Sequence, residues 1–270
     1  MNNTLNSRRL GMLIHRQWIE FGKIYLMSLA VLTGIFIAFY GYSIYDVYQH
    51  NADSHSIQSM LSFRPYLFIV MGLLFITIIS GTYFSNLGQK PKAIFELLLP
   101  ASRLEKFSVA IFYTVILTTV SYILIFFLVD LGFVSYFRTK LPSSYSYFEE
   151  GSGREVVVEQ LVFFYKYAVN SKVYWMSFLP YLLSAVFLLG SVMFTKFQYI
   201  KTGVLLTVYV LLYALFTFKV IQFFTAGTVR ISDGLFSEEV NVLRAICVLG
   251  ILVTFVLWGI GYLRLKEKEV

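Results

Sequence analysis

Residues 107–129 read FSVAIFYTVILTTVSYILIFFLV, twenty-three consecutive positions without a charged side chain. A helix rises 1.5 Å per residue and needs about 20 residues to cross roughly 30 Å of hydrocarbon, so this run has the length and composition of a membrane span. Five further runs of the same kind lie on either side of it, at 24–45, 66–84, 174–194, 202–218 and 245–263. Lys219 closes the fifth run at Phe218, but Val220 and Ile221 resume it, so that helix can continue with the lysine reaching toward the headgroups. A transmembrane β-barrel requires segments of about ten residues that alternate polar and apolar, and these continuous runs do not alternate. The expected fold is therefore an all-α integral membrane protein, one polytopic domain over 1–270 with about six transmembrane helices.

Composition agrees. With 58% hydrophobic residues, 19% aromatic residues, only 14% charged residues and a mean hydropathy of +0.71, the chain carries more apolar surface than a soluble domain of its size can bury. The first run begins after Lys23 and closes on Ile44, Tyr45 and Asp46 rather than on small residues, so it is expected to remain as a span and not to be removed as a signal peptide. The single cysteine, Cys247, lies in the sixth run, which leaves no internal disulfide and no cysteine-based metal site.

Charge sets the expected orientation. With the amino terminus in the cytoplasm, the inner segments hold thirteen of the 22 Lys and Arg residues, in short stretches such as Arg8 to Lys23, Lys90 to Lys106 and Arg264 to Lys268. The outer loops hold ten of the fifteen acids, among them Asp130, Glu149, Glu150, Glu155 and Glu159. Both termini are expected in the cytoplasm, in the plasma (inner) membrane of a multi-pass protein. The net charge of +7 reads as membrane topology and not as nucleic-acid binding.

Between the runs the sequence changes character. Residues 1–23 form an amphipathic pattern: Asn6 or Ser7 can cap a helix with Leu10, Leu13, Ile14, Trp18 and Phe21 on one face and Arg9, Arg16, Glu20 and Lys23 on the other. Such a helix lies along the cytoplasmic interface, as an anchor or as a partner contact. After the second run, Pro91 suits a first helical turn, Ile94, Phe95, Glu96, Leu97, Leu98 and Leu99 form a short helix with an apolar face, and Pro100 stops it. Ser102 with Glu105 three residues on is a capping box for the third span, flanked by Arg103 and Lys106. Nothing else in the chain is placed to cover the apolar face of that short helix, which points to a cytoplasmic partner. The 130–173 segment is a long external loop in which Tyr145 to Gly153 read as a flexible surface stretch. Val156 to Phe164 read as an interfacial helix, or as a strand from the β-branched start.

Several chemistries are disfavoured. No phosphate-binding G-x-x-x-x-G-K-S/T occurs, so ATP hydrolysis is not expected in this chain. The only histidines, His15, His50 and His55, lie outside the spans, and no G-x-S-x-G elbow or H-E-x-x-H pair is present. No acid–base pair is expected inside the bilayer, with Asp130 at a span end, so no catalytic residue, cofactor or metal is assigned. Inside the spans, Thr114, Thr118 and Ser121 recur at helical spacing, and Gly34 with Ala38 is a small-xxx-small pair. These let helices pack closely, and the hydroxyls alternatively form a polar strip along a substrate path. Pro180 is expected to kink the fourth span.

The stretch Leu97, Leu98, Leu99, Pro100, Ala101, Ser102, Arg103, Leu104, Glu105, Lys106, set between spans two and three of six, resembles the coupling segment in the transmembrane subunits of type-2 ABC exporters. The resemblance implies an amphipathic amino-terminal helix, six spans with both ends inside, and a short cytoplasmic helix that docks in a groove of a separate ABC ATPase subunit. It also implies a pathway built from two copies of this chain, or from one copy and a homologous permease. Two other readings stay open from the residues alone: a membrane scaffold or assembly protein without transport, and a membrane-embedded lipid-modifying enzyme using loop acids.

Overall fold

The computed structural model describes residues 6–49, 61–84, 101–140, 144–148, 155–159, 162–165, 175, 177–225 and 239–268. Helix α1 runs from Ser7–Gln49 and α2 from Arg64–Tyr83. The third helix is built from α3 (Arg103–Ile111), a π-helical turn at Phe112–Leu117, and α4 (Thr118–Lys140) without interruption. After a hairpin of β1 (Ser144–Phe148) and β2 (Glu155–Glu159) come α5 (Leu179–Met193), α6 (Gln198–Thr225) and α7 (Glu239–Lys268). Among the described residues, five helices are long and apolar enough to cross a membrane, and the chain is a multi-pass helical membrane protein.

Several expected boundaries shift, each for an identifiable reason. The amphipathic stretch over 1–23 and the span over 24–45 are not separate elements, since α1 is one helix of 43 residues, roughly 65 Å long at 1.5 Å per residue. No proline separates the two stretches, and continuing the helix keeps every backbone group bonded where lipid begins. The third helix extends past 129 to Lys140, which shortens the expected 130–173 loop; a charge at 130 does not end a helix whose backbone ladder stays intact. Helix α6 likewise continues through Lys219 to Thr225, as the apolar residues after it allow.

Pro180 does not kink the fourth helix. It occupies the first turn of α5, where its missing N–H is unneeded and its fixed φ suits the helix. The span expected over 174–194 is thereby cut to a helix of 15 residues, roughly 22 Å, shorter than the hydrocarbon layer. Of the two readings of the stretch from Glu155, the strand is the one that forms: residues 155–159 pair antiparallel with 144–148, a stretch expected to be flexible surface, with Ser144 opposite Glu159 and Phe148 opposite Glu155. Val156 to Val158, three β-branched residues in succession, favour the strand. Gly151 and Gly153 lie outside the described residues.

The chain divides into two compact units. One comprises Met1–Ile14, Leu73–Thr118 and Trp175–Val270. Within it α5 packs against both α6 and α7, and α7 reaches α3. Gly190 makes the α5–α6 contact possible, because a Cβ there would collide with Thr202. Phe107, Ala110, Leu188 and Leu265 form its core, bordered by Trp258 and Tyr262. Beyond its contact with α5, helix α6 exposes Val204, Leu205, Tyr209, Val210, Leu211 and Tyr213, which lie around its circumference, the pattern of a helix facing lipid.

The other unit comprises His15–Gly72 and Thr119–Tyr174. Its interior is aromatic: the rings of Phe36 and Phe126 meet edge-on at 5.2 Å, and Phe68 meets Phe126 at 4.9 Å. Leu61, Val134 and Phe137 form a second buried group, against which Ile44, Phe63 and Phe163 pack.

Candidate coupling site

Of the residues expected to contact an ATPase, Ile94, Phe95, Glu96, Leu97, Leu98, Leu99 and Pro100 lie outside the described residues. The residues that follow them form a defined polar clasp. Ser102 takes extended backbone angles as the N-cap of α3, and its hydroxyl oxygen accepts the Glu105 N–H at 3.2 Å. The Glu105 carboxylate accepts the Ser102 N–H through Oε2 at 2.9 Å, completing the capping box. This much follows from local sequence.

Glu105 does more than close its own helix. Its second oxygen, Oε1, accepts the Asn6 N–H at 2.9 Å and lies 3.3 Å from Arg9 Nη2. Asn6 is in turn the cap of α1: its Oδ1 accepts the Arg8 N–H at 3.0 Å and its carbonyl accepts the Leu10 N–H at 2.9 Å. One fully buried carboxylate thus sits at the positive ends of two helices, α1 and α3, with a guanidinium beside it. The start of the chain is fastened to the residues that follow the Lys90 to Pro100 segment. Arg103 and Lys106 flank this clasp.

The two parts of the clasp have separable contributions. Ser102→Ala removes one acceptor from the α3 terminus and is expected to lower stability by about 1 kcal/mol, because Glu105 still holds Asn6 and Arg9. Unfolding of the detergent-solubilised protein measures this; a loss several times larger would mean that Ser102 supports the α1 attachment as well.

The span hydroxyls are occupied within their surroundings. Thr114 Oγ1 donates to the Ala110 carbonyl at 2.7 Å and Thr118 Oγ1 to the Tyr113 carbonyl, five residues back, also at 2.7 Å; both side chains are buried. The longer reach of Thr118 matches the π-helical turn it follows, where the backbone widens. Tyr113 in that turn donates its hydroxyl to the Ile14 carbonyl at 2.7 Å. Ser121 hydrogen-bonds the Tyr25 hydroxyl. Thr114 and Thr118 thus bond back to carbonyls of their own helix, Ser121 bonds across to α1, and Pro180 starts α5.

A charged pair inside the apolar helices escapes the reading of the sequence, which expects none there. Asp130, inside α4, and Arg64, the first residue of α2, are both buried and lie 3.2 Å apart between Oδ1 and Nη1. The Tyr40 hydroxyl donates to the same Oδ1 at 2.7 Å, and Oδ2 accepts the Phe164 N–H at 2.8 Å. Arg64 also donates to carbonyls, Nη1 to Val162 at 3.0 Å and Nε to Leu61 at 3.3 Å. Both oxygens of the carboxylate and the Nε and Nη1 groups of the guanidinium have partners, as burial of charge demands. The signal available in sequence was Asp130 itself, an acid continuing an apolar run, but its partner lies 66 residues away. Among the described residues no three His, Cys, Asp or Glu side chains gather as a metal-ligand set.

Comparison with protein-family models, curated proteins and solved structures finds no match to this chain.

Proposed function

We propose that this chain is the membrane-spanning subunit of an ATP-driven exporter of the type-2 ABC class, coupled through the 91–106 segment to a separate cytoplasmic ATPase. The observation that carries the reading is the Glu105 clasp. A partner that moves the segment ahead of Pro100 acts on the start of α3, and Glu105 passes the displacement directly to Asn6 and Arg9 of α1. Two helices then move together from one contact, which is what a coupling element has to achieve. ATP is hydrolysed by the partner, which alone would carry the phosphate-binding motif, and the partner's two nucleotide states bias the permease by differential contact. The pathway forms with a second copy or a homologous permease in the plasma (inner) membrane, and lipid covers the remaining apolar surface of α6 and α7.

This reading fixes an orientation, with both termini and the Lys90 to Lys106 segment in the cytoplasm. In a Cys247→Ser background, Gly151→Cys is expected to react with a membrane-impermeant maleimide on intact cells, and Lys92→Cys only after permeabilisation. The reverse pattern would overturn the orientation and, with it, the docking of a cytoplasmic ATPase at this segment. A scaffold without transport would satisfy the same labelling; it is separated from the exporter by whether an ATPase binds and is stimulated.

A further inference from the structure

We propose that residues 162–165, which follow the β-hairpin, are a releasable plug latched onto Asp130, and that their release gives access to the buried Asp130–Arg64 pair. The inference concerns only the unit formed by His15–Gly72 and Thr119–Tyr174 and does not rest on the exporter reading. Phe164 is buried, its ring 5.1 Å from that of Phe68 and 5.0 Å from that of Phe126. Phe163 lies beneath the Arg138 guanidinium, 4.3 Å away, and Tyr165 is exposed. Burial therefore changes sharply within four residues, from half-buried Val162 and Phe163 to buried Phe164 and exposed Tyr165.

Its attachments come from helix side chains. The Phe164 N–H rests on Asp130 Oδ2, and the Val162 carbonyl on Arg64 Nη1. A buried backbone N–H needs an acceptor, and Asp130 supplies it. The division of labour on the carboxylate is what makes release feasible. Tyr40 and Arg64 both use Oδ1, whereas Phe164 uses Oδ2 alone. When the segment leaves, Asp130 and Arg64 still neutralise each other and Tyr40 still donates, so no isolated charge remains in the interior. The open state lacks the Phe164 and Val162 hydrogen bonds, the Phe164 ring and the packing of Phe163 against Leu61, Val134, Phe137 and the Arg138 guanidinium, while the helix-to-helix ring contacts among Phe36, Phe68 and Phe126 stay in place.

Residue-resolved amide hydrogen exchange of the whole protein in lipid nanodiscs tests this from either side of the membrane. The Phe164 amide is expected to exchange at least about tenfold faster than the α4 amides at Phe126 and Val134, because it opens without them. Phe164→Ala should raise exchange at position 164 by a further factor of about ten or more and leave those α4 amides unchanged. Asp130→Asn, which weakens the acceptor, should accelerate position 164 in the same direction, and Tyr40→Phe, which touches only Oδ1, should not. Exchange of the Phe164 amide as slowly as that of the α4 amides in the unmodified protein would overturn the proposal. So would Phe164→Ala accelerating α4 and position 164 equally, the behaviour of a core wedge. If Asp130→Asn fails to fold, the unmodified protein and Phe164→Ala still decide the question.

Discussion

Arg64→Ala is expected to destabilise the unit around Asp130 by about 3–5 kcal/mol, because it leaves a buried carboxylate without its counter-charge. Asp130 would retain only the Tyr40 hydroxyl and the Phe164 N–H, two neutral donors, the Tyr40 ring packed on Phe63 and Phe133 and the Phe164 ring on Phe68 and Phe126. The Val162 and Leu61 carbonyls would lose their donor as well. Removing both charges together is a different perturbation. In the double variant Arg64→Met, Asp130→Asn no ion is left uncompensated, so the combined loss should be smaller than that of Arg64→Ala alone. Equilibrium unfolding in mixed detergent micelles measures both. A loss for Arg64→Ala below about 1 kcal/mol would mean that the pair is hydrated and does not organise the interior.

The parts of this fold that were legible in sequence are those set by local pattern. Six apolar runs led to helices because a continuous apolar stretch in lipid has no other way to satisfy its backbone. The capping box was legible because Ser102 and Glu105 lie three residues apart and their reciprocal bonds need nothing else. Helix ends were less legible. Charges at Lys23, Asp130 and Lys219 suggested boundaries, yet a helix is ended by loss of its hydrogen-bond ladder, and a charge with a partner or a route to the headgroups leaves that ladder intact. Pro180 illustrates the same point in reverse, since the effect of a proline depends on where the helix begins.

Long-range contacts lay beyond the sequence altogether. The second oxygen of Glu105 finds Asn6 across 99 residues, and Asp130 finds Tyr40 across 90. A capping-box glutamate has an unused oxygen by construction, and an acid in an apolar run needs a counter-charge, so each residue announced that a partner was required without saying which. The hydroxyl series at Thr114, Thr118 and Ser121 was legible as a pattern but ambiguous in use. Thr114 and Thr118 bond carbonyls of their own helix, and Ser121 bonds Tyr25 of α1.

The largest functional effect is expected at Leu98. If the stretch ahead of Pro100 docks in a groove of an ATPase as proposed, Leu98→Asp places a carboxylate in a desolvated contact and weakens association by on the order of several kcal/mol, a loss of a thousandfold or more in affinity. The residue lies outside every apolar run of the sequence, so insertion and expression should be unchanged, and Ser102→Ala, which only loosens a helix cap, should leave association nearly intact. The direct test is the ATP turnover of a purified ABC ATPase subunit, co-expressed with this chain and reconstituted with it in proteoliposomes at matched amounts. Stimulation of turnover by the unmodified chain and its loss with Leu98→Asp is the predicted result; failure of the unmodified chain to bind or stimulate the ATPase, or equal stimulation by Leu98→Asp, would contradict it.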